Sequence, residues 1–140
     1  YQGVLRQNLA FMDRFRLCQV GYPDPDTEMK ILARIAPDLP GDIRFAMVDY
    51  ANHVRRLFIQ GSERGGAPIE VTFSTRTLIR WAELSLKFQP LAHQGIQPIT
   101  YALDRALAYR ASRPTRALLH ELAQRSFGGK PPDDPSIPSA

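Results

Sequence analysis

Cysteine is almost missing from this chain. Cys18 is the only one in 140 residues, so no internal disulfide can form, and a reducing, cytoplasmic setting is expected. Histidine is sparse too. His53, His93 and His120 stand far apart, and neither they nor Cys18 fall at a metal-ligand spacing. No G-x-x-x-x-G-K-[ST] phosphate cradle occurs, and no Ser/His/Asp or Cys/His set can be assembled for nucleophilic catalysis. No apolar run approaches the length of a membrane span, and nothing reads as a secretory leader, so no membrane partner is expected. Blocks of like charge are missing as well.

What is present is an ordinary globular balance. Hydrophobic residues make up 44% and charged residues 23%, enough for one domain with a real core. The net charge of +4 is carried by arginines dispersed along the chain. That excess is compatible with a nucleic-acid partner but does not favour one. The chain opens on Tyr1, inside a segment that is already patterned, and we expect further sequence before it.

Val4 to Met12 places Leu5, Leu9 and Met12 on one face and reads as a short helix closed by Asp13-Arg14. Phe15 to Tyr22 alternates in period two and reads as a strand. A lone strand leaves its ladder unpaired. Its partners are therefore expected to lie in sequence before Tyr1, and residues 1–20 alone are expected to be poorly ordered or paired in a non-native way. Pro23-Asp24-Pro25-Asp26-Thr27-Glu28 is a turn and a helix start, with Asp24 as cap, Pro25 in the first turn and acids matched to the dipole.

A mainly α bundle follows. The first helix carries Met29, Ile31, Leu32 and Ile35 and stops near Pro37. A longer one is expected from about Ile43 to Gln60, burying Met47, Tyr50, Ala51, Val54, Leu57 and Phe58, with Arg55 and Arg56 suiting the negative end of its dipole. Gly61 to Pro68 has loop composition, and Ile69 to Phe73 reads as a short strand. The next helix starts at Ser74 and runs to about Phe88. After a loop to Gly95, another runs from about Gln97 to Ala111, and the last ends near Ser126. Trp81 is the largest apolar side chain, and its indole N–H needs a partner if buried. The expected division is residues 1–22, a helical domain over 23–127, and a disordered tail over 128–140 rich in Pro, Asp and Ser.

Two arginines stand at boundaries. In Ser74-Thr75-Arg76, Ser74 is a good N-cap, and Arg76 falls in the first turn, where the macrodipole is positive. A cation there is unfavourable by about 0.3–1 kcal/mol. It suits an anion, and phosphate above all, at the helix N-terminus. On this stretch alone the plainer alternative, an arginine reaching into solvent, is favoured. Arg14 lies where the first helix hands over to the expected strand, and pairing with Asp13 or a nearby carboxylate is its plain alternative.

The order of these motifs resembles the end of a MoxR-type AAA+ ATPase. The segment Asn8-Leu9-Ala10-Phe11-Met12-Asp13-Arg14-Phe15, the Tyr22 to Glu28 turn, and Ser74-Thr75-Arg76 carry the resemblance. It is nearest to the branch of the cobaltochelatase small subunit (CobS-like) and related activators of metalloenzymes. It implies a helical-bundle lid domain, with a short leading helix and strand left from the α/β core. It implies that Arg14 is the arginine finger, reaching the nucleotide of the neighbouring subunit in a homo-oligomeric ring. It implies that Arg76 is the sensor-2 arginine, reading the nucleotide in cis. ATP and Mg would be the cofactors of the full-length parent. The Walker A, Walker B and sensor-1 residues would precede Tyr1, so these 140 residues alone should be inactive. The client protein is left unknown.

A reading of a different class rests on Arg105, Arg110, Arg113 and Arg116 and on the pI of about 9.6. It makes the chain a basic helical module that binds nucleic acid or a partner protein, with salt-dependent affinity.

Overall fold

The computed structural model describes residue 12, residues 14–63 and residues 69–128. The expected helix over 4–12 and the expected tail over 128–140 lie almost wholly outside them. Among the described residues the architecture is helical, with no strand.

The leading segment corrects the expectation of a strand. Residues 14–19 form a helix, α1, and residues 20–21 a turn. Only Leu17 is buried, while Phe15 and Val20 are more than half exposed, so there is no apolar face for a sheet to cover. A helix satisfies its own backbone, which a single strand cannot. It ends in a Schellman closure: Tyr22 N–H donates to Leu17 O at 3.1 Å, Gly21 N–H donates to Cys18 O at 3.1 Å, and Gly21 sits at φ +97°.

α2 spans Pro25–Ile35, with Pro25 in its first turn and Arg34 in its last. The Asp24 side chain makes no capping bond, contrary to expectation. α3 runs Gly41–Glu63 and is longer than its apolar face indicates. Arg44 closes the link between the two helices by donating to Ala36 O, Pro37 O and Leu39 O at 3.4, 3.3 and 2.7 Å.

Ile69 to Phe73 is not a strand either. Its alternation records burial: Ile69 and Phe73 are fully buried, Glu70 is exposed, and no neighbouring strand offers a ladder. α4 then spans Thr75–Lys87, and Ser74 Oγ accepts Thr77 N–H at 3.0 Å, as its position predicts. A 3-10 turn over Gln89–Gln94 leads to α5, Pro98–Ala106, which stops five residues short of the expected Ala111. A second 3-10 turn, Ala108–Arg110, connects to α6, Arg113–Phe127.

α4 packs on α5, α2 on α3, and α3 on α6. The centre is aromatic. Trp81 lies 5.2 Å from Tyr50, 5.4 Å from Phe73 and 5.6 Å from Phe127, ring centre to ring centre. Its indole N–H donates to Ile99 O at 2.9 Å, which supplies the required partner and ties α4 to α5. Tyr50 OH donates to Leu119 O at 2.7 Å, tying α3 to α6. Burial raises the Tyr50 phenol well above its ordinary value, and the Asp104 charge adds to this, so the hydroxyl remains a donor. Each large apolar side chain buried here contributes about 1.5–3 kcal/mol.

Candidate functional site

The start of α4 is where the fold places Arg76. It is exposed, in the second position after the Ser74 cap, and makes no ion pair or hydrogen bond among the described residues. Helix geometry leaves the amides of Thr75 and Arg76 without intrahelical acceptors. The result is a solvent-facing guanidinium beside unpaired N–H groups, chemically suited to an anion.

The backbone under Arg76 is held from below. Arg55, on α3, is fully buried. Its Nη1 and Nη2 donate to Glu28 Oε1 and Oε2 at 2.6 and 2.9 Å, a bidentate fork between α3 and α2. Nη1 also donates to Asn52 Oδ1 at 2.8 Å, and Nε donates to Phe73 O at 2.9 Å. Thr75 Oγ1 donates to Glu28 Oε2 at 3.2 Å. Tyr22 lies under the guanidinium, 4.6 Å from ring centre to Cζ, and its OH is 3.1 Å from Thr72 Oγ1.

Sequence reasoning assigned Arg55 to the α3 dipole and passed over Glu28 as a first-turn acid. The signal was available. Met47, Ala51 and Arg55 recur every fourth residue on one stripe, and Glu28 precedes buried Leu32 by four. A charge at a core position requires a buried partner.

Arg14 lies elsewhere on the same scaffold. Its Nη2 is 3.8 Å from Asp24 Oδ1 and 3.8 Å from Asp26 Oδ1, at the head of α2, and its side chain is half exposed. It borders an open cavity of about 490 Å³ between α1, α2 and α3, which Phe45, Asp49 and Arg56 also line. No ion pair or hydrogen bond joins Arg14 to Arg76. Both are fastened to the first turn of α2, Arg14 through Asp24 and Asp26 and the Arg76 backbone through Thr75 and Glu28.

A carboxylate does occupy one helix N-terminus. Glu70 reaches the N-terminus of α6, accepting Ser112 N–H and Thr115 Oγ1–H, each at 2.5 Å. The Thr115 bond first, then the Ser112 amide, holds its carboxyl down to about 2. The histidines form no site. His120 Nε2 meets Asp104 Oδ1 at 2.5 Å. His53 is lowered by burial and then by Arg56. Among the described residues no cluster of His, Cys, Asp or Glu could hold a metal ion, and no helix is long and apolar enough to cross a membrane.

A helical bundle is the fold class that the order of motifs implied. The comparison with known families bears this out: the family model described as CbbQ/NirQ/NorQ C-terminal matches residues 28–126, most of the chain. The chain belongs to that family, whose members are the helical C-terminal domain of MoxR-type AAA+ proteins. No curated protein and no solved structure was found to match it. Glu28, Arg55 and Arg76 fall inside the matched span, and Arg14 falls before it.

Proposed function

We propose that this chain is the lid of an ATP-hydrolysing remodelling protein that works as a homo-oligomeric ring, and that Arg76 couples the lid to nucleotide. The observation that carries this is Arg76 itself: exposed, unpartnered among the described residues, and set at a helix N-terminus inside the family span. That arrangement fits a phosphate. Among the described residues there is no cluster of three or more His, Cys, Asp or Glu to hold Mg, so its ligands are proposed to come from elsewhere in the full-length protein. ATP, when bound, supplies the free energy of remodelling; the lid contributes a cation and a rigid lever attached to it.

Arg14 is proposed as the finger that reaches a neighbouring subunit. Its contacts with Asp24 and Asp26 are long and exposed, and such pairs contribute about 0–1 kcal/mol. Leaving them costs little against the roughly 10³–10⁵ in rate that a finger contributes in other phosphoryl-transfer enzymes. In full-length protein, Arg14→Ala should abolish turnover while leaving ATP affinity largely intact. Arg76→Ala should weaken affinity, turnover or both. Normal turnover in the first variant removes the finger, and wild-type affinity and turnover in the second remove the sensor role.

The finer reading, action on metal insertion or metalloenzyme activation as in the CobS-like branch, is supported by the order of the sequence motifs. Loss of metal-loaded client in cells lacking the protein tests it. One observation favours the basic-module reading: Arg105 lies 3.5 Å from the Tyr101 ring centre, and Arg116 lies 5.3 Å from that of Tyr109. The same arginines, with Arg110, donate to the carbonyls of Tyr101, Ala106 and Ala108, which gives them a structural role. Salt-dependent binding of the chain to DNA or RNA would establish the second reading.

A further inference from the structure

We propose that the buried Glu28–Arg55 pair is a positioning device: it sets the start of α4, and with it Arg76, and ties that start to the segment carrying Arg14. The inference rests on reading Arg76 as nucleotide-facing. Neither member of the pair can touch nucleotide, because both are fully buried. They act through what they hold.

The bonds straddle the helix cap. Arg55 Nε takes the carbonyl of Phe73, the residue before Ser74, and Glu28 takes the hydroxyl of Thr75, the residue after it. The guanidinium is planar and its donors point in fixed directions. With three of its nitrogens committed to Phe73, Asn52 and Glu28, the cap has one orientation. Arg76 is the next residue after Thr75.

The other end of the network is Tyr22. Its ring lies under Arg55, its hydroxyl meets Thr72, and its N–H closes α1 on Leu17 O. α1 carries Arg14, and Arg14 faces Asp24 and Asp26 on the turn that leads to Glu28. The two arginine-bearing segments thus meet at one ion pair. A buried pair of this kind is often no more stabilising than apolar side chains of similar volume. Direction is what apolar replacements cannot supply.

Thr75→Val tests this while keeping both members of the buried pair and the fork between them. In full-length protein its affinity for a fluorescent ATP analogue should fall roughly three- to tenfold, alongside the modest drop in melting temperature expected for one lost hydrogen bond. In an Arg76→Ala background the same substitution should lower affinity no further, because the residue it positions is gone. Without nucleotide, Thr75→Val and Tyr22→Phe should each speed exchange of the Thr77 and Leu78 amides, which are bonded to Ser74, and leave α6 unchanged. Unchanged affinity in Thr75→Val, with Arg76→Ala impaired, overturns the positioning role and leaves the Arg76 reading standing. Equal losses in both backgrounds show a merely structural contact and overturn it too. Unchanged affinity and unchanged turnover in Arg76→Ala remove both readings.

Discussion

Replacing Arg55 by methionine leaves the Glu28 carboxylate fully buried with one hydroxyl, from Thr75, still donating to it. The lost fork removes two charge-assisted bonds, at 2.6 and 2.9 Å, together with the donor to Phe73 O. Breaking a buried pair by removing one partner costs about 3–5 kcal/mol. A domain of this kind has about 5–15 kcal/mol in total, so Arg55→Met should lose a large part of its stability. Urea unfolding followed by the fluorescence of Trp81, the single tryptophan and a fully buried one, measures this directly. The midpoint should fall and the slope should hold. The double variant Glu28→Leu with Arg55→Met removes both charges and should recover part of the loss, since Phe73 O and Asn52 Oδ1 still lack the Arg55 donors, without recovering nucleotide affinity. A single-variant loss under about 1 kcal/mol, or a double variant no better than the single, would refute the account of the pair.

Other outcomes follow from contacts on the outer layers. The Glu70 carboxyl is held at about 2 against an ordinary 4.5. Its folded value is depressed, so its contribution is complete above the ordinary value and is lost as pH falls through the window toward about 2. Melting curves of wild type and Glu70→Gln should differ at pH 7 and converge near pH 2. Ser74→Ala removes the acceptor for Thr77 N–H and should cost about 0.5–2 kcal/mol in chemical denaturation. Tyr50→Phe removes the side-chain donor to Leu119 O, which keeps its bond within α6, and a loss of about 0.5–1.5 kcal/mol is expected by the same assay.

Most of the helical layout was legible in the sequence, because its signals are local. Pro25, Ser74 and the apolar spacing of Leu78 and Ala82 mark helix starts and faces without reference to the rest of the chain. The two expected strands were not strands. Period two is a record of alternating burial, and Ile69 to Phe73 shows that an extended segment pressed into a helical core produces it equally well. Arg76 was visible because a cation in a first helical turn is locally wrong. The Glu28–Arg55 pair was not seen, because each residue is locally acceptable. Glu28 suits a helix start and Arg55 a later turn; only packing α2 on α3 brings them within 2.6 Å. Glu70 was hidden for the same reason, since its partners Ser112 and Thr115 are more than forty residues away.

The Glu70 contact also has a meaning for chain length. Ile69 is buried in the core and Glu70 is fixed to α6, so the polypeptide is anchored immediately after the link that leaves α3. By sequence, Arg64 to Pro68 connect the end of α3 to this anchor and include Gly65 and Gly66. The entropy of closing such a span grows only logarithmically, by about 0.6 kcal/mol for each doubling. Sequence inserted there would leave the aromatic centre, the Ser74 cap and the ion pair beneath it untouched. It is a place where this lid can gain a recognition element, by evolution or by design, at little thermodynamic penalty.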